Sequence, residues 1–241
     1  MLPIRDTVRT YSFPTANTLL IIIITIIFLI TNFLPENGYF TLVSKYGLVA
    51  DRFLSANILD IFNHPLAYIT LLTHIFLHGG WIHFLSNIWT LYIFGDNIED
   101  RMGSKRYLFF FLLSGMIAGL MQIILIPGSQ VPIIGASGAI ASVLGAYFVM
   151  YPRARVVTLI FIFFIPWFVK LPALLYLGLW FATQVVYGLS NLGIDHAAAI
   201  GGVAWWAHIG GFLFGMFFYR LFIPRVHPAI ERHRQDHELT R

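Results

Sequence analysis

The stretch Ile133–Tyr151 reads IIGASGAIASVLGAYFVMY. It is long and apolar enough to cross about 30 Å of hydrocarbon as a helix of about 20 residues. Near its start stands Gly135-Ala136-Ser137-Gly138, a serine flanked by small residues. Polar groups at membrane depth are costly and call for a reason. A second apolar stretch far downstream carries a lone histidine in Ala207-His208-Ile209-Gly210-Gly211. Together they suggest a nucleophile and its base placed inside a bilayer. A lone membrane serine is more often a satisfied packing residue, so the weight rests on what surrounds the pair.

Composition fixes the class. The chain of 241 residues is 58% hydrophobic and 11% charged, with mean hydropathy +0.77. A soluble domain of that make-up lacks the polar residues to cover its surface. The expected fold is therefore all-α, a polytopic membrane protein built as a bundle of six transmembrane helices. The spans fall at about Thr18–Leu34, His83–Gly95 (extended upstream by Trp81-Ile82), Tyr107–Ile126, Ile133–Tyr151, Leu171–Leu189 and Val203–Ile223. A membrane domain over 18–223 then separates an N-terminal segment, 1–17, from a tail, 224–241. Val156–Phe168 is apolar but short for a span, and reads as an interfacial or partly inserted segment. The long first outer loop, Pro35–Gly80, mixes Phe53, Leu54, Ile58, Leu59, Ile61 and Phe62 with Asp51, Arg52, Asn57 and Asp60. That mixture suggests short amphipathic helices in the outer interface, and a loop packed on the bundle fits equally. The first apolar run lacks a small-x-small cleavage site and reads as an anchor. With no cysteine in the chain, disulfides and thiolate nucleophiles are excluded.

Charge orients the spans. Arg5 and Arg9 precede the first. Arg101, Lys105 and Arg106 lie between the second and third, and Arg153 and Arg155 follow the fourth. Arg220, Arg225, Arg232, Arg234 and Arg241 end the chain. With six spans all of these share one side, while the other has only Lys45 and Arg52. The positive-inside rule places both termini in the cytoplasm. The excess of positive charge thus reports topology, and nucleic acid is not an expected partner.

On this topology Ser137 and His208 lie at similar depth below the outer surface. Gly135 and Gly138 clear side chains from around Ser137, leaving room for a substrate backbone and for the Ser137 amide as an oxyanion donor. Small-residue stripes, Gly138 with Ala141 and Gly211 with Gly215, permit close helix contact. Such contact would bring His208 within reach of Ser137. The run His78-Gly-Gly-Trp-Ile-His83-Phe-Leu-Ser-Asn87 leads into the second helix from the same side. His83 and Asn87, four apart, share one helical face and can donate hydrogen bonds to an oxyanion. A structural polar pair between neighbouring helices is the plainer reading of those two. His74 and His78 read as stabilising the loop and the helix start.

Three motifs in this order, His78-x4-His83-x3-Asn87, Gly135-Ala136-Ser137-Gly138 and Ala207-His208-x2-Gly211-x3-Gly215, resemble those of the rhomboid family of intramembrane serine proteases. The run Gly95–Gly103, GDNIEDRMG, is similar to the family too. The resemblance covers nearly the whole chain. It implies a Ser–His dyad with Ser137 as nucleophile and His208 as base. His83, Asn87 and the Ser137 amide form the oxyanion hole, with Gly135, Gly138, Gly211 and His78 in support. It further implies transmembrane proteins as substrates, entering between the second and fifth helices near Trp180-Phe181. No cofactor and no metal are called for. The expected location is the plasma membrane, with the site facing outward. Two departures stand out. The first loop reads Pro65-Leu-Ala-Tyr-Ile-Thr70 where many members carry Trp-Arg. Ala141 stands where an aromatic often stacks on the histidine, leaving His208 to be positioned by something else, for which Trp205 or Trp206 is the candidate.

Three rival readings compete. One is a catalytically silent relative that binds transmembrane helices, although silent members usually lose the serine or histidine and this chain keeps both. The second is a membrane metalloprotease, but His74-Ile-Phe-Leu-His78 lacks the glutamate of an HExxH motif. The third is a transporter, which usually shows repeated halves and intramembrane charges. Neither feature is found here.

Overall fold

Each of the six apolar runs read as spans contains a helix. The computed structural model describes residues 1–56, 65–192 and 202–225. Helix α1 spans Thr15–Asn32. The first loop folds as α2 (Glu36–Tyr46), α3 (Ala50–Ser55) and α4 (Pro65–Thr73), the last running into a 3-10 turn at His74–Phe76. Then come α5 (Trp81–Met102), α6 (Ser104–Leu125), α7 (Ser137–Met150), α8 (Ala173–Ser190) and α9 (Trp205–Phe218). A 3-10 turn at Tyr219–Phe222 closes the described chain. Helices α1, α6 and α8 are each long and apolar enough to cross a membrane. The loop residues Asn57, Ile58, Leu59, Asp60, Ile61 and Phe62, most of the loop Ser190–Gly202, and the tail beyond 225 lie outside the described residues.

The helix bounds differ from the apolar runs for local reasons. Helix α5 continues past Gly95 to Met102, carrying Asp96, Glu99 and Asp100 in its last turns. Helix α7 starts at Ser137 and not at Ile133. Gly135 sits at φ +122, outside the helical region, and its N–H donates to the His74 carbonyl at 2.9 Å. Just upstream, Leu48 and Ile133 form an antiparallel bridge.

The all-α expectation needs correction. Strands β1 (Leu2–Asp6), β2 (Arg155–Ile162) and β3 (Ile165–Pro172) form an antiparallel sheet in the order β1-β2-β3. The segment Val156–Phe168 is thus most of a hairpin. The run Val156-Val-Thr-Leu-Ile-Phe161 is β-branched and aromatic, which favours a pleated strand. Pro166 cannot sit inside a helix. The N-terminal segment supplies β1, pairing Leu2 with Leu159 and Asp6 with Val156.

Helix α7 is the centre of the bundle, buried continuously from Gly138 to Tyr147. It crosses α9 at backbone contact. A Cβ added to Gly211 would lie 2.1 Å from the Gly138 carbonyl oxygen. One on Gly215 would lie 1.9 Å from that of Ser142, and one on Gly145 2.0 Å from that of Phe212. No side chain fits at any of the three, so glycine there fixes both the separation and the register of the helices. Ser142 Oγ adds a hydrogen bond to the Gly211 carbonyl at 2.8 Å.

The far end of the bundle is held by buried polar groups. Glu99 of α5 accepts the Ala16 and Asn17 amides at 2.9 and 2.7 Å and the Ser104 hydroxyl at 2.6 Å. It thereby satisfies amides in the first turn of α1, where a carboxylate is also favoured by the helix dipole. Asp6 of β1 accepts from the Tyr147 hydroxyl at 2.5 Å and the Asn97 amide at 2.9 Å. Burial pushes the Asp6 carboxyl above its ordinary range, and those hydrogen bonds pull it partly back.

Candidate active site

Ser137 is the first residue of α7, and no side chain caps this helix end. Its opening amides have no partner one turn back, and the positive end of the helix dipole lies there. Ala136 and Gly138 beside it are buried.

His208 lies in the first turn of α9. That turn is capped from outside: Gln122 Oε1 on α6 accepts the Trp206 and Ala207 amides at 2.9 and 3.1 Å. The α7–α9 crossing below and this cap above set the depth of His208. Its Nε2 lies 2.7 Å from Ser137 Oγ. Its Nδ1 lies 2.8 Å from Gln184 Oε1 on α8.

The hydrogen bonds of Gln184 decide which imidazole nitrogen carries the proton. Gln184 Nε2 donates to the Trp180 carbonyl at 3.0 Å. A carbonyl only accepts, so the amide nitrogen must face Trp180 and the amide oxygen must face His208. Gln184 Oε1 likewise only accepts, so His208 Nδ1 carries the hydrogen. The lone pair of Nε2 is then free to receive the Ser137 hydroxyl. Two rings flank the imidazole: Trp180 at 5.9 Å and 33°, and Trp205 edge-on at 6.1 Å and 85°. Of the two aromatics expected from sequence, Trp205 contributes. Among the described residues Trp206 makes no ring contact with His208, and its buried indole nitrogen has no partner.

His83 sits opposite. The Gly79 amide donates to its Nδ1 over a long 3.4 Å, which leaves Nε2 as the protonated nitrogen. A Cβ on Gly135 would lie 2.6 Å from His83 Nε2 and 3.7 Å from Ser137 Oγ. Gly135 thus lets the His83 donor and the serine approach from two sides. Asn87, buried one turn further along α5, spends one amide hydrogen on the His83 carbonyl at 2.9 Å and keeps a second.

Ser137, His208, His83 and Asn87 line one cavity of about 1140 Å³, together with Trp180 and Gln122. The other sequence-derived residues lie around it. His78 is behind His83, its ring 5.0 Å away, and its buried Nε2 has no partner among the described residues. Gly138 and Gly211 meet at the α7–α9 crossing. His74 is outside the cavity, its Nδ1 2.8 Å from the Thr70 carbonyl. Phe181 stacks on Phe212 at 4.5 Å while its neighbour Trp180 faces the cavity. At the position of the missing Trp-Arg pair, α4 forms a helix.

Sequence reasoning passed over Gln184 and Gln122. Each is the one side-chain amide of its helix and stands in an apolar stretch, where an unsatisfied polar group is costly.

The arrangement joins a hydroxyl to a nitrogen base of fixed tautomer, with N–H donors on the far side of the hydroxyl. Comparison with known proteins identifies the family. The family model described as the Rhomboid domain matches residues 65–225, well over half of the chain. The protein belongs to the rhomboid family and is a membrane protein. A Bacillus subtilis (strain 168) protein named putative rhomboid protease YdcA is 35% identical over 80 residues, covering 33% of this chain and 40% of that one. Rhomboid-like protein 11, chloroplastic, of Arabidopsis thaliana is 31% identical over 109 residues, covering 43% and 39%. Rhomboid protein 1, mitochondrial, of Saccharomyces cerevisiae is 26% identical over 191 residues, covering 76% and 49%. The matched segments span less than half the length of each of these relatives.

Proposed function

We propose that this protein is an intramembrane serine endopeptidase that hydrolyses peptide bonds in or near transmembrane helices. The observation that carries the reading is the 2.7 Å contact between Ser137 Oγ and His208 Nε2, made by an imidazole whose other nitrogen is held as N–H by Gln184. His208 takes the Ser137 proton as Oγ attacks the scissile carbonyl carbon. The oxyanion is received by His83 Nε2–H, the free Asn87 amide hydrogen and the Ser137 amide. Collapse of this intermediate breaks the C–N bond, and the imidazolium gives its proton to the leaving amine. Water then enters through the cavity, gives a proton to His208 and bonds to the acyl carbon; the C–Oγ bond breaks as His208 returns that proton to Ser137, and the acyl group leaves as a carboxylic acid.

In this proposal the six long helical segments α1, α5, α6, α7, α8 and α9 all cross the bilayer. The basic ends and both termini face the cytoplasm, the site opens on the outer side, and the membrane is the plasma membrane. Two relatives carry chloroplastic or mitochondrial names, so fractionation of the tagged chain is the check on the compartment. Substrate enters between α5 and α8, past Trp180. An intact helix shields its backbone by its own hydrogen bonds. Substrates therefore carry Gly, Ala or Ser near the outer end of the span, where unwinding costs least for glycine and serine and small side chains fit the cavity.

Incubation of the detergent-purified protein with a single-span reporter tests the reading, with Ser137→Ala as the comparison. Cleavage by the wild type alone is expected. Equal cleavage by both sinks the serine mechanism. Binding without cleavage by either identifies the silent, helix-binding relative.

A further inference from the structure

The hairpin β2–β3 leaves the bundle at the Met150 end of α7, opposite Ser137, and its tip is aromatic. β1 covers β2 only as far as Leu159. Beyond that, Ile160 pairs with Trp167 and Phe161 with Pro166, in a ribbon of two strands. A two-stranded ribbon is marginal in water on its own. This one is also apolar: Phe161, Ile165, Trp167 and Phe168 are exposed.

The turn is stranger still. Phe163 and Phe164 have φ of 48° and 65°, the pattern of a type I′ turn, which asks for Asn-Gly or Asp-Gly. Bulky residues are strained there. Yet their side chains are 91% and 98% exposed. Two strained rings projecting from a tip add nothing to the turn, so the reason for them lies in what the tip touches.

The base of the ribbon carries exposed Arg153, Arg155 and Lys170. β3 ends at Pro172 and α8 begins at Ala173. The first turn of α8 exposes Leu174 and Leu175, so the apolar surface of the ribbon continues the lipid-facing surface of the bundle. Among the described residues β3 is an edge strand, whose free backbone groups need water or headgroups, which forbids a place in the hydrocarbon core. An aromatic tip, a cationic base and an unpaired edge all fit the headgroup layer.

We propose that Arg155–Pro172 is an interfacial anchor. It lies on the leaflet at the basic face of the bundle, sinks Phe163 and Phe164 into the acyl boundary, and engages anionic headgroups through Arg153, Arg155 and Lys170. This goes beyond the proteolytic reading and does not depend on it.

The chain holds no cysteine, so Phe164→Cys gives a single labelling site, and Phe163→Cys a second should the first misfold. The variant is labelled with an environment-sensitive dye and reconstituted into vesicles of phosphatidylcholine, with or without roughly 30% phosphatidylglycerol to supply anionic headgroups. Iodide is present on both sides. The expected result is quenching by lipids spin-labelled near the headgroup, and iodide quenching at least about threefold weaker than for a glutathione conjugate of the dye. The shielding is stronger in the anionic vesicles. Iodide quenching equal to that of the conjugate overturns the anchor. Shielding equal in the two lipids overturns the role of the basic residues. Shielding that appears only as the protein-to-lipid ratio rises means a second copy covers the tip, and also overturns it.

Discussion

Gln184→Leu keeps the volume of the side chain and removes the oxygen that faces His208 Nδ1. Before the proposed reaction begins that bond, 2.8 Å long, is between neutral partners and contributes about 0.5–1.5 kcal/mol. Once His208 has taken the serine proton, the same N–H belongs to an imidazolium, and hydrogen bonds to charged groups contribute about 1.5–3 kcal/mol. The increment of about 1–1.5 kcal/mol is realised only in the transition state and corresponds to roughly 5- to 13-fold in rate. Without the acceptor, the wrong tautomer also becomes accessible and removes up to about a further factor of two. The expectation is a fall in kcat of about 5- to 25-fold with KM little changed, since Gln184 does not line the cavity that receives substrate. An ionised partner in a serine triad is worth about 10⁴, so a neutral amide belongs well below that. The assay is cleavage of a single-span reporter over a range of concentrations, with the thermal unfolding midpoint in the same detergent as the control. Gln184→Glu restores an oxygen opposite Nδ1 and should recover part of the loss. A kcat within twofold of wild type for Gln184→Leu refutes the positioning role. So does a loss that Gln184→Glu does not relieve at all.

Gly145→Val should lower stability by about 3 kcal/mol or prevent folding, because its Cβ would lie 2.0 Å from the Phe212 carbonyl oxygen and the overpacking falls on backbone. A thermal unfolding midpoint unchanged in detergent would contradict the α7–α9 packing. Asp6 gives a pH signature. Its carboxyl is raised by burial above the ordinary 3.8, so folding favours the protonated form. The stability this contributes is fully present below 3.8 and is lost as pH rises through the raised native value. On acidification through that window the wild type should gain stability relative to Asp6→Asn, which cannot titrate. Unfolding midpoints that keep a constant separation from pH 7 down to pH 4 speak against it.

Legibility in the sequence followed the range of the interactions. The helical runs were readable because lipid demands long apolar segments. The approach of Ser137 to His208 was foreshadowed by Gly211 and Gly215, whose absent side chains leave backbone against backbone. Gly135 was readable as a clearing for the serine, though its part in admitting His83 was not. The sheet was hidden because β1 and β2 are far apart in sequence and their pairing is a tertiary event, while Val156–Phe168 as a local string is simply apolar. Gln184 was hidden for a related reason. An amide in a span announces that it has a partner, and only the packing of α8 on α9 says that the partner is His208. The aromatic absent at Ala141 pointed to a substitute for holding the histidine. Trp205 of the same helix flanks the ring, whereas the hydrogen bond comes from Gln184 of another helix.

On the proposed mechanism Ser137 is a nucleophile made reactive by His208. The most direct measurement is to treat the membrane-reconstituted protein with a fluorophosphonate and locate the adduct by peptide mass spectrometry, in wild type and in His208→Ala. A single adduct on Ser137 in the wild type, and none in His208→Ala, is the predicted result. An unlabelled Ser137 in a wild type that still cleaves the reporter, or equal labelling of Ser137 in both proteins, would contradict it.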